Sequence, residues 1–244
     1  ELKVFCTANA HIDMNWMWGY QETVALTVDT LRTVLTLMDE YPDFVYSQPQ
    51  ASVYAIVEEY APELLDRIRQ RVKEGRWEAS VSGWVEQDKN MSSAESMARH
   101  LLYAKRYIST LLDIPIQQLD LDFAPDTFGH NCNVPEFLTD GGIRSYYHCR
   151  GHHGPNLFRR RSPSGKELIA FREPVWYNLT VDYNMMRYVP QFCGKNGVDT
   201  VLMIYGVGDH GGGPTRRDLQ RLQDMQSWPL FPTLIHSSIR QFFQ

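Results

Sequence analysis

Two residues near the start of the chain have the types and the spacing needed to bind a metal ion. His11 and Asp13 follow residues 2–6, a short apolar segment that predicts a β-strand. Residues two apart in extended backbone direct their side chains to the same face. An imidazole nitrogen and a carboxylate oxygen on one face can bind a single metal ion such as zinc. The alternative is a strand end with a capping aspartate and two core tryptophans, Trp16 and Trp18.

Further polar residues follow other predicted strands, directly after the point where each strand ends. They are residues 84–88, Asp126, Arg150, and the pair Asp209 and His210. The carboxyl ends of parallel strands lie at one rim of the sheet, and ligands bind at that rim. The sequence therefore predicts that five loops, distant along the chain, converge on one active site.

Asp126 allows two interpretations on its own. An aspartate after a strand commonly caps the next helix. A carboxylate fixed between Pro125 and an aromatic segment can instead be a nucleophile, a metal ligand or both.

The glycines at 211–213 open a predicted helix. We favour a turn that lines the substrate over a phosphate-binding loop, because no Lys-Ser/Thr pair follows these glycines.

Strand and helix patterns alternate along the chain. Apolar residues recur three and four apart in three long segments, 21–40, 51–74 and 94–112. Strands are predicted between and after them, at 44–47, 77–82, 119–123, 145–149 and 200–205, with a hairpin over 157–171. This alternation predicts an α/β fold, either a parallel β-sheet or an irregular (β/α) barrel wrapped by helices.

Composition excludes several classes of protein. The 244 residues carry a net charge of −5 and no basic run, so we expect no nucleic-acid partner. No apolar stretch approaches the roughly 20 residues that cross a bilayer, so we expect no membrane association. The four cysteines are scattered, which predicts reduced thiols and a cytoplasmic location.

Four segments together resemble one known family. They are Ala-His-Ile-Asp-Met-Asn-Trp at 10–16, Gly-Trp-Val-Glu-Gln-Asp at 83–88, Ala-Pro-Asp-Thr-Phe-Gly-His at 124–130, and Gly-Asp-His-Gly-Gly-Gly-Pro-Thr at 208–215. The chain resembles the α-mannosidases of glycoside hydrolase family 38, in particular the cytosolic and bacterial branch. The segments occur in the family's order.

The resemblance implies a retaining exo-α-mannosidase that removes terminal α-mannosyl residues from mannose-containing oligosaccharides. It also implies one zinc ion, Zn2+, in the sugar-binding site. His11 and Asp13 match the first two zinc ligands of the family. Asp126 matches the catalytic nucleophile, which is also the third zinc ligand.

The same resemblance implies several substrate-binding residues. Arg150 stands where the family has an active-site arginine, and Trp16 stands where an aromatic residue floors the sugar pocket. We place Asp209 and His210 with the residues that contact the substrate. The general acid/base has no clear motif; of the candidates Glu173, Asp182 and Asp209, we prefer Asp182.

Two departures from the family pattern concern completeness. The family's fourth zinc ligand is a histidine in a later motif that does not occur in this chain, and family enzymes are much longer. We therefore expect residues 1–244 to be the N-terminal catalytic α/β domain of a longer α-mannosidase, without its helical middle and β-rich C-terminal domains. A domain separated from the rest of such an enzyme can be inactive by itself. It can also form a homo-oligomer.

One other enzyme class stays open at this point. A metal-dependent polysaccharide hydrolase or deacetylase also uses a His-x-Asp pair with a nearby aspartate on an α/β barrel. Such an enzyme attacks with a metal-bound water and forms no covalent intermediate.

Overall fold

Strands and helices alternate in the computed structural model, which describes residues 1–151, 154–208 and 211–244. The strands are β1 (Lys3–Asn9), β2 (Tyr46–Gln50), β3 (Trp77–Gly83), β4 (Leu121–Ala124), β5 (Ser145–His148), β6 (Leu157–Arg161), β7 (Glu167–Arg172), β8 (Thr200–Tyr205) and β9 (Thr233–His236). The helices are α1 (Tyr20–Glu40), α2 (Ala51–Tyr60), α3 (Leu65–Lys73), α4 (Ala94–Leu112), α5 (Val134–Asp140), α6 (Met185–Asn196), α7 (Arg216–Gln226) and α8 (Ile239–Phe243).

The strands form one mixed sheet in the order β6-β7-β5-β4-β3-β2-β1-β8. Every pairing is parallel except the β6–β7 hairpin, which is antiparallel as predicted. β1 is the most connected strand: Lys3 pairs with Thr200 of β8 and with Thr233 of β9, and Ala8 pairs with Tyr46 of β2. The sheet forms a half-barrel flanked by helices, which confirms the predicted α/β class.

The core lies between the sheet and the helices. All residues of β2 and β3 are buried, as expected of parallel strands covered on both faces. Helix α1 turns an apolar stripe that includes Leu31, Leu35 and Met38 toward this core. Ser93 precedes helix α4 and caps it, because its hydroxyl accepts a hydrogen bond from the Ser96 N–H.

Some boundaries differ from the sequence prediction. The second strand begins at Tyr46 and continues through Gln50, because the polar ends of Gln48 and Gln50 are buried by bonds to the chain after β1. Gln50 Nε2 donates to the Ile12 carbonyl over 2.9 Å. The predicted helical region 51–74 is divided at Pro62 into α2, a short 3-10 turn and α3.

Three elements near the C-terminus had no predicted counterpart. Helix α6 contains Pro190, which removes a backbone donor and weakens the helical signal. Strand β9 has four residues and helix α8 has five, both short for pattern-based prediction. Among the described residues, no helix combines the length and the apolar character needed to cross a membrane.

Candidate active site

Four strands deliver polar side chains to one pocket at the carboxyl rim of the sheet. The pocket has a volume of about 380 Å³. It is lined by residues that follow β1, β3 and β4, together with the last residue of β2: residues 11–15, Gln50, residues 85–88 and residues 126–128. Three of the five loops predicted to converge, those after β1, β3 and β4, therefore meet at this pocket.

A histidine and two aspartates form a compact cluster in this pocket. Each of His11, Asp13 and Asp126 offers one ligand atom, and these atoms lie within 4.8 Å of one another. His11 Nε2 lies 3.3 Å from Asp13 Oδ1 and 3.9 Å from Asp126 Oδ2. The histidine is buried, whereas the aspartates are partly open to the pocket. One nitrogen and two carboxylate oxygens are a donor set that suits zinc.

The backbone around His11 is held from two sides. Gln50 of β2 binds the Ile12 carbonyl, as described above, and the Gly211 N–H donates to the His11 carbonyl over 3.1 Å. Gly211 has a φ of +80°, and a Cβ there would lie 2.1 Å from a Leu26 methyl carbon. The glycine is required at this turn by both its conformation and its close packing. The ring of Tyr177 meets the His11 ring edge-on at 5.4 Å.

Glu86 lies behind the cluster, where the sequence analysis had assigned no individual role. Its side chain is only 6% exposed, and its Oε2 lies 3.3 Å from His11 Nδ1. Its Oε1 accepts hydrogen bonds from the Asp126 N–H (2.7 Å) and the Thr127 hydroxyl (2.8 Å). One buried carboxylate thus contacts both the histidine and the segment that carries Asp126.

Burial and neighbouring charges shift the pKa values of His11 and Glu86. Burial alone disfavours imidazolium, but the bond to Asp13 and the charges of Glu86, Asp13 and Asp126 outweigh it and raise the pKa of His11. Burial raises the pKa of Glu86, partly offset by the charge of His11. Negative charge collects around His11, which is the environment that a bound cation stabilises.

Arg150 lies on the other side of Asp126. Its Nε and Nη2 both lie 2.6 Å from Asp126 Oδ1. The guanidinium lies over two aromatic rings, with its carbon 4.4 Å from the centre of Phe128 and 4.9 Å from the centre of Trp176. Burial opposes the charge, but the bond to Asp126 outweighs it and raises the pKa of Arg150.

Two of the three acid/base candidates, Asp182 and Glu173, lie after β7, at the same rim but outside the cluster. Asp182 accepts hydrogen bonds from the Asn184 N–H (2.8 Å) and its side-chain amide (3.1 Å), just before α6. Glu173 is 2% exposed and accepts a bond of 2.8 Å from the Tyr147 hydroxyl; burial raises its pKa to about 8. In the described part of the chain, no hydrogen bond or ion pair joins Asp182 or Glu173 to His11, Asp13 or Asp126.

Trp16, Asp209 and His210 are the other residues predicted from the sequence to contact the substrate. Trp16 is 49% exposed and meets Trp18 edge-on at 5.7 Å, directly after the segment 11–15 that lines the pocket. Asp209 and His210 lie outside the described residues. Their roles stay predictions.

Three residues that contact His11 or Arg150 have no individual role in the sequence prediction. Glu86 stood in a polar segment noted after β3, so its position was signalled although its role was not. Trp176 and Tyr177 stand in a loop with neither periodicity nor a motif. Only the return of this loop after β7 shows that they contact Arg150 and His11.

An α/β half-barrel with a His–Asp–Asp cluster at its carboxyl rim is the framework of a metal-dependent hydrolase. Sequence comparison identifies the particular family: the profile of the glycosyl hydrolases family 38 N-terminal domain matches residues 1–244. The chain belongs to this family. The resemblance found in the sequence is therefore confirmed.

Among relatives, alpha-mannosidase G of Dictyostelium discoideum is 28% identical over 254 residues, which cover 100% of this chain and 23% of that protein. Human alpha-mannosidase 2C1 is 27% identical over 250 residues, which cover 98% of this chain and 24% of that protein. The chain thus spans about a quarter of the length of these relatives.

Solved structures show how widely the fold is shared. An alpha-mannosidase from Enterococcus faecalis V583 matches with a TM-score of 0.83 and 20% identity, over 100% of this chain and 29% of that one. A putative polysaccharide deacetylase from Mycobacterium smegmatis matches with a TM-score of 0.62 and 10% identity, over 98% of this chain and 88% of that one. At these identities the similarity is one of fold.

Proposed function

We propose that this chain is the zinc-binding, nucleophile-bearing domain of a retaining exo-α-mannosidase that removes terminal mannosyl residues from oligosaccharides in the cytoplasm. The observation that carries the proposal is the His11–Asp13–Asp126 cluster at the rim of a family 38 domain. The relatives named above are themselves named alpha-mannosidases. The cysteines are all unpaired, which agrees with a reducing compartment.

The residues present fit a zinc ion. His11 presents Nε2 to the two aspartates while its other ring nitrogen faces Glu86. Zinc-binding histidines commonly have this carboxylate on the far nitrogen. Zinc bound to His11, Asp13 and Asp126 supplies Lewis-acid contacts for sugar hydroxyl groups.

Asp126 supplies the nucleophile in this proposal. Its carboxylate attacks the anomeric carbon, the bond to the leaving oxygen breaks, and a general acid protonates that oxygen. Water then hydrolyses the mannosyl ester on Asp126. The residue that acted as the general acid now acts as a base, and the configuration at the anomeric carbon is retained. Arg150 keeps the carboxylate in one orientation and stabilises its charge when the ester breaks.

For the acid/base we keep Asp182 as the proposal. It stands on the rim loop after β7 and is partly exposed, whereas Glu173 is buried and bonded to Tyr147. Retaining glycosidases place the two carboxyl groups about 5–5.5 Å apart.

The length of the relatives supports a longer parent protein. We infer that this chain is its N-terminal domain and that a fourth zinc ligand comes from a later domain. A metal-bound water, as in a polysaccharide deacetylase, is the competing mechanism. The fold is common to both classes, so family membership, and not fold, favours the mannosidase.

Covalent trapping distinguishes the two mechanisms. The longer protein, loaded with zinc, is incubated with a slow fluorinated α-mannoside and digested for mass spectrometry. We expect one mannosyl label on the peptide that contains Asp126 and no label in the Asp126→Asn variant. Cleavage of an aryl α-mannoside without a label, or with a label on another residue, would contradict the proposal.

A further inference from the structure

Glu86 joins two functional parts of the site through one buried side chain. Its Oε2 lies 3.3 Å from His11 Nδ1, and its Oε1 accepts from the Asp126 N–H and the Thr127 hydroxyl. Three groups that can donate a proton therefore face this carboxylate. His11 Nδ1 and Glu86 Oε2 are both buried and have no hydrogen-bond partner elsewhere among the described residues, so these two facing atoms are left to one another.

We infer that Glu86 is a positioning residue that holds the His11 ring and the Asp126 backbone in place together. The inference rests on the proposed metal site. A neutral imidazole carries one proton, and the partner of one nitrogen determines which nitrogen is left to bind a metal. An ionised Glu86 has only acceptor oxygens, so its contact with Nδ1 favours a proton on that nitrogen. Nε2, which lies 3.3 Å from Asp13 Oδ1 and 3.9 Å from Asp126 Oδ2, is then the nitrogen available to a metal ion.

The other half of the contact acts on the nucleophile. Asp126 begins the loop directly after β4, and its backbone N–H is bound to Glu86 Oε1. The carboxylate of Asp126 is bound separately by Arg150. Backbone and side chain of this aspartate are thus fixed by different partners. Movement of Glu86 would displace the Asp126 backbone and release the His11 ring together.

The position of Glu86 is itself fixed by its surroundings. Its backbone N–H approaches Gln50 Oε1 at 3.4 Å, and Gln50 also binds the Ile12 carbonyl. Gln50, Glu86 and residues 11–12 therefore form a closed set of contacts across the ends of β1, β2 and β3. A positioning function requires this kind of support for the positioning side chain.

Glu86→Gln is the informative substitution because it keeps the shape of the side chain. An amide has one acceptor oxygen and one donor nitrogen. If the amide oxygen stays on the Asp126 N–H, the amide N–H₂ faces His11 Nδ1. It then favours the tautomer of His11 that has its proton on Nε2. If the amide turns over, the N–H₂ faces the two donors of residues 126 and 127. Either orientation removes one half of the contact.

Thr127→Val is the matched control. It removes one donor to Glu86 Oε1 but leaves the contact with His11 in place. Thr127 is buried and offers no side chain to the metal cluster. A role of Glu86 that is only structural predicts similar effects of both substitutions, because each removes one buried polar contact of the same side chain.

The test is zinc affinity, measured on the metal-stripped chain by competition with a chromophoric chelator. We expect Glu86→Gln to weaken zinc binding by about 10–100-fold, the usual effect of losing the carboxylate behind a metal-binding histidine. Thr127→Val is expected to retain the wild-type affinity. Equal affinity of wild type and Glu86→Gln, or an equal loss in both variants, would overturn the inference.

A second measurement needs no substitution. In the zinc-loaded wild-type chain labelled with ¹⁵N-histidine, long-range proton–nitrogen correlations are expected to show the His11 proton on Nδ1 and zinc on Nε2. Zinc on Nδ1 would overturn the positioning role even if Glu86→Gln fails to fold. A wild-type chain that binds no zinc would instead contradict the proposed metal site, on which this inference rests.

Discussion

Two nitrogens of Arg150 lie 2.6 Å from the same oxygen of Asp126, Oδ1: Nε, which donates a hydrogen bond to it, and Nη2, which forms an ion pair with it. The other oxygen, Oδ2, is left on the side of His11, 3.9 Å from its Nε2. The two oxygens of Asp126 thus face different partners, a fixed cation and the proposed metal site. This division suits a residue that must be oriented firmly and still react.

Replacing Asp126 removes the proposed nucleophile. We expect Asp126→Asn to lower kcat of the longer protein on an aryl α-mannoside by roughly 10³-fold or more, as for other catalytic nucleophiles. Its fold should persist, because Asn keeps an oxygen for Arg150 and the backbone bond to Glu86. Steady-state kinetics and circular dichroism check this. Robust turnover by the folded variant would remove Asp126 from the mechanism.

Arg150→Lys tests whether geometry or charge matters at this contact. Lysine keeps the charge but has a single nitrogen to contact Asp126 Oδ1. It also loses the contacts of the guanidinium with the rings of Phe128 and Trp176. We expect kcat/KM to fall about tenfold or more, since a charge-assisted hydrogen bond contributes about 1.5–3 kcal/mol. The charge-removing control Arg150→Met should fall further. Wild-type kinetics for Arg150→Lys would show that a positive charge alone is sufficient.

Glu173 makes stability depend on pH. Its pKa is raised to about 8 by burial, so the folded chain binds a proton that the unfolded chain releases near the ordinary glutamate value. Its favourable contribution is complete at acid pH and is lost as pH rises through about 8. Glu173→Gln mimics the protonated form and should keep the Tyr147 bond at all pH values.

Urea unfolding at pH 5 and pH 9 measures this effect. Wild type and Glu173→Gln should have similar free energies of unfolding at pH 5. At pH 9 the variant should be more stable, by an amount on the order of a few kcal/mol. Parallel pH profiles for the two proteins would show that Glu173 is ionised in the fold at neutral pH.

A buried ion pair supports the loops beside the pocket. Lys89 Nζ donates to Asp122 Oδ1 over 3.1 Å, both side chains are almost fully buried, and the Lys89 N–H binds the Gly129 carbonyl. Lys89→Met leaves Asp122 as an unpaired buried charge, so unfolding free energy should fall by about 3–5 kcal/mol. The double variant with Asp122→Leu should recover much of this loss. If Lys89→Met lowered the free energy of unfolding as little as the loss of a surface ion pair does, the stabilising role of the Lys89–Asp122 pair would be contradicted.

The sequence predicted the parts of the site that follow from strand ends and local spacing. His11 and Asp13 are two apart after an apolar strand, and Asp126 follows another, so a parallel fold brings them to one rim. The contact of Arg150 with Asp126 depends on the same logic. These relationships need only the direction of the strands and not the paths of the loops.

The remaining contacts depend on how loops return across the rim. Nothing in the spacing of Glu86 shows that its carboxylate turns beneath His11 and binds the Asp126 N–H. Trp176 and Tyr177 reach Arg150 and His11 from a loop without a pattern. Strand β9 was missed because four residues carry too little periodicity, although it pairs with β1.

The zinc content of the purified chain tests the central claim most directly. Elemental analysis after dialysis against zinc and gel filtration should give one zinc per chain for wild type and far less for His11→Ala. His236→Gln, which changes a histidine in β9 outside the pocket, should retain one zinc. A wild-type chain without zinc, or His11→Ala with unchanged stoichiometry, would contradict the account of this site.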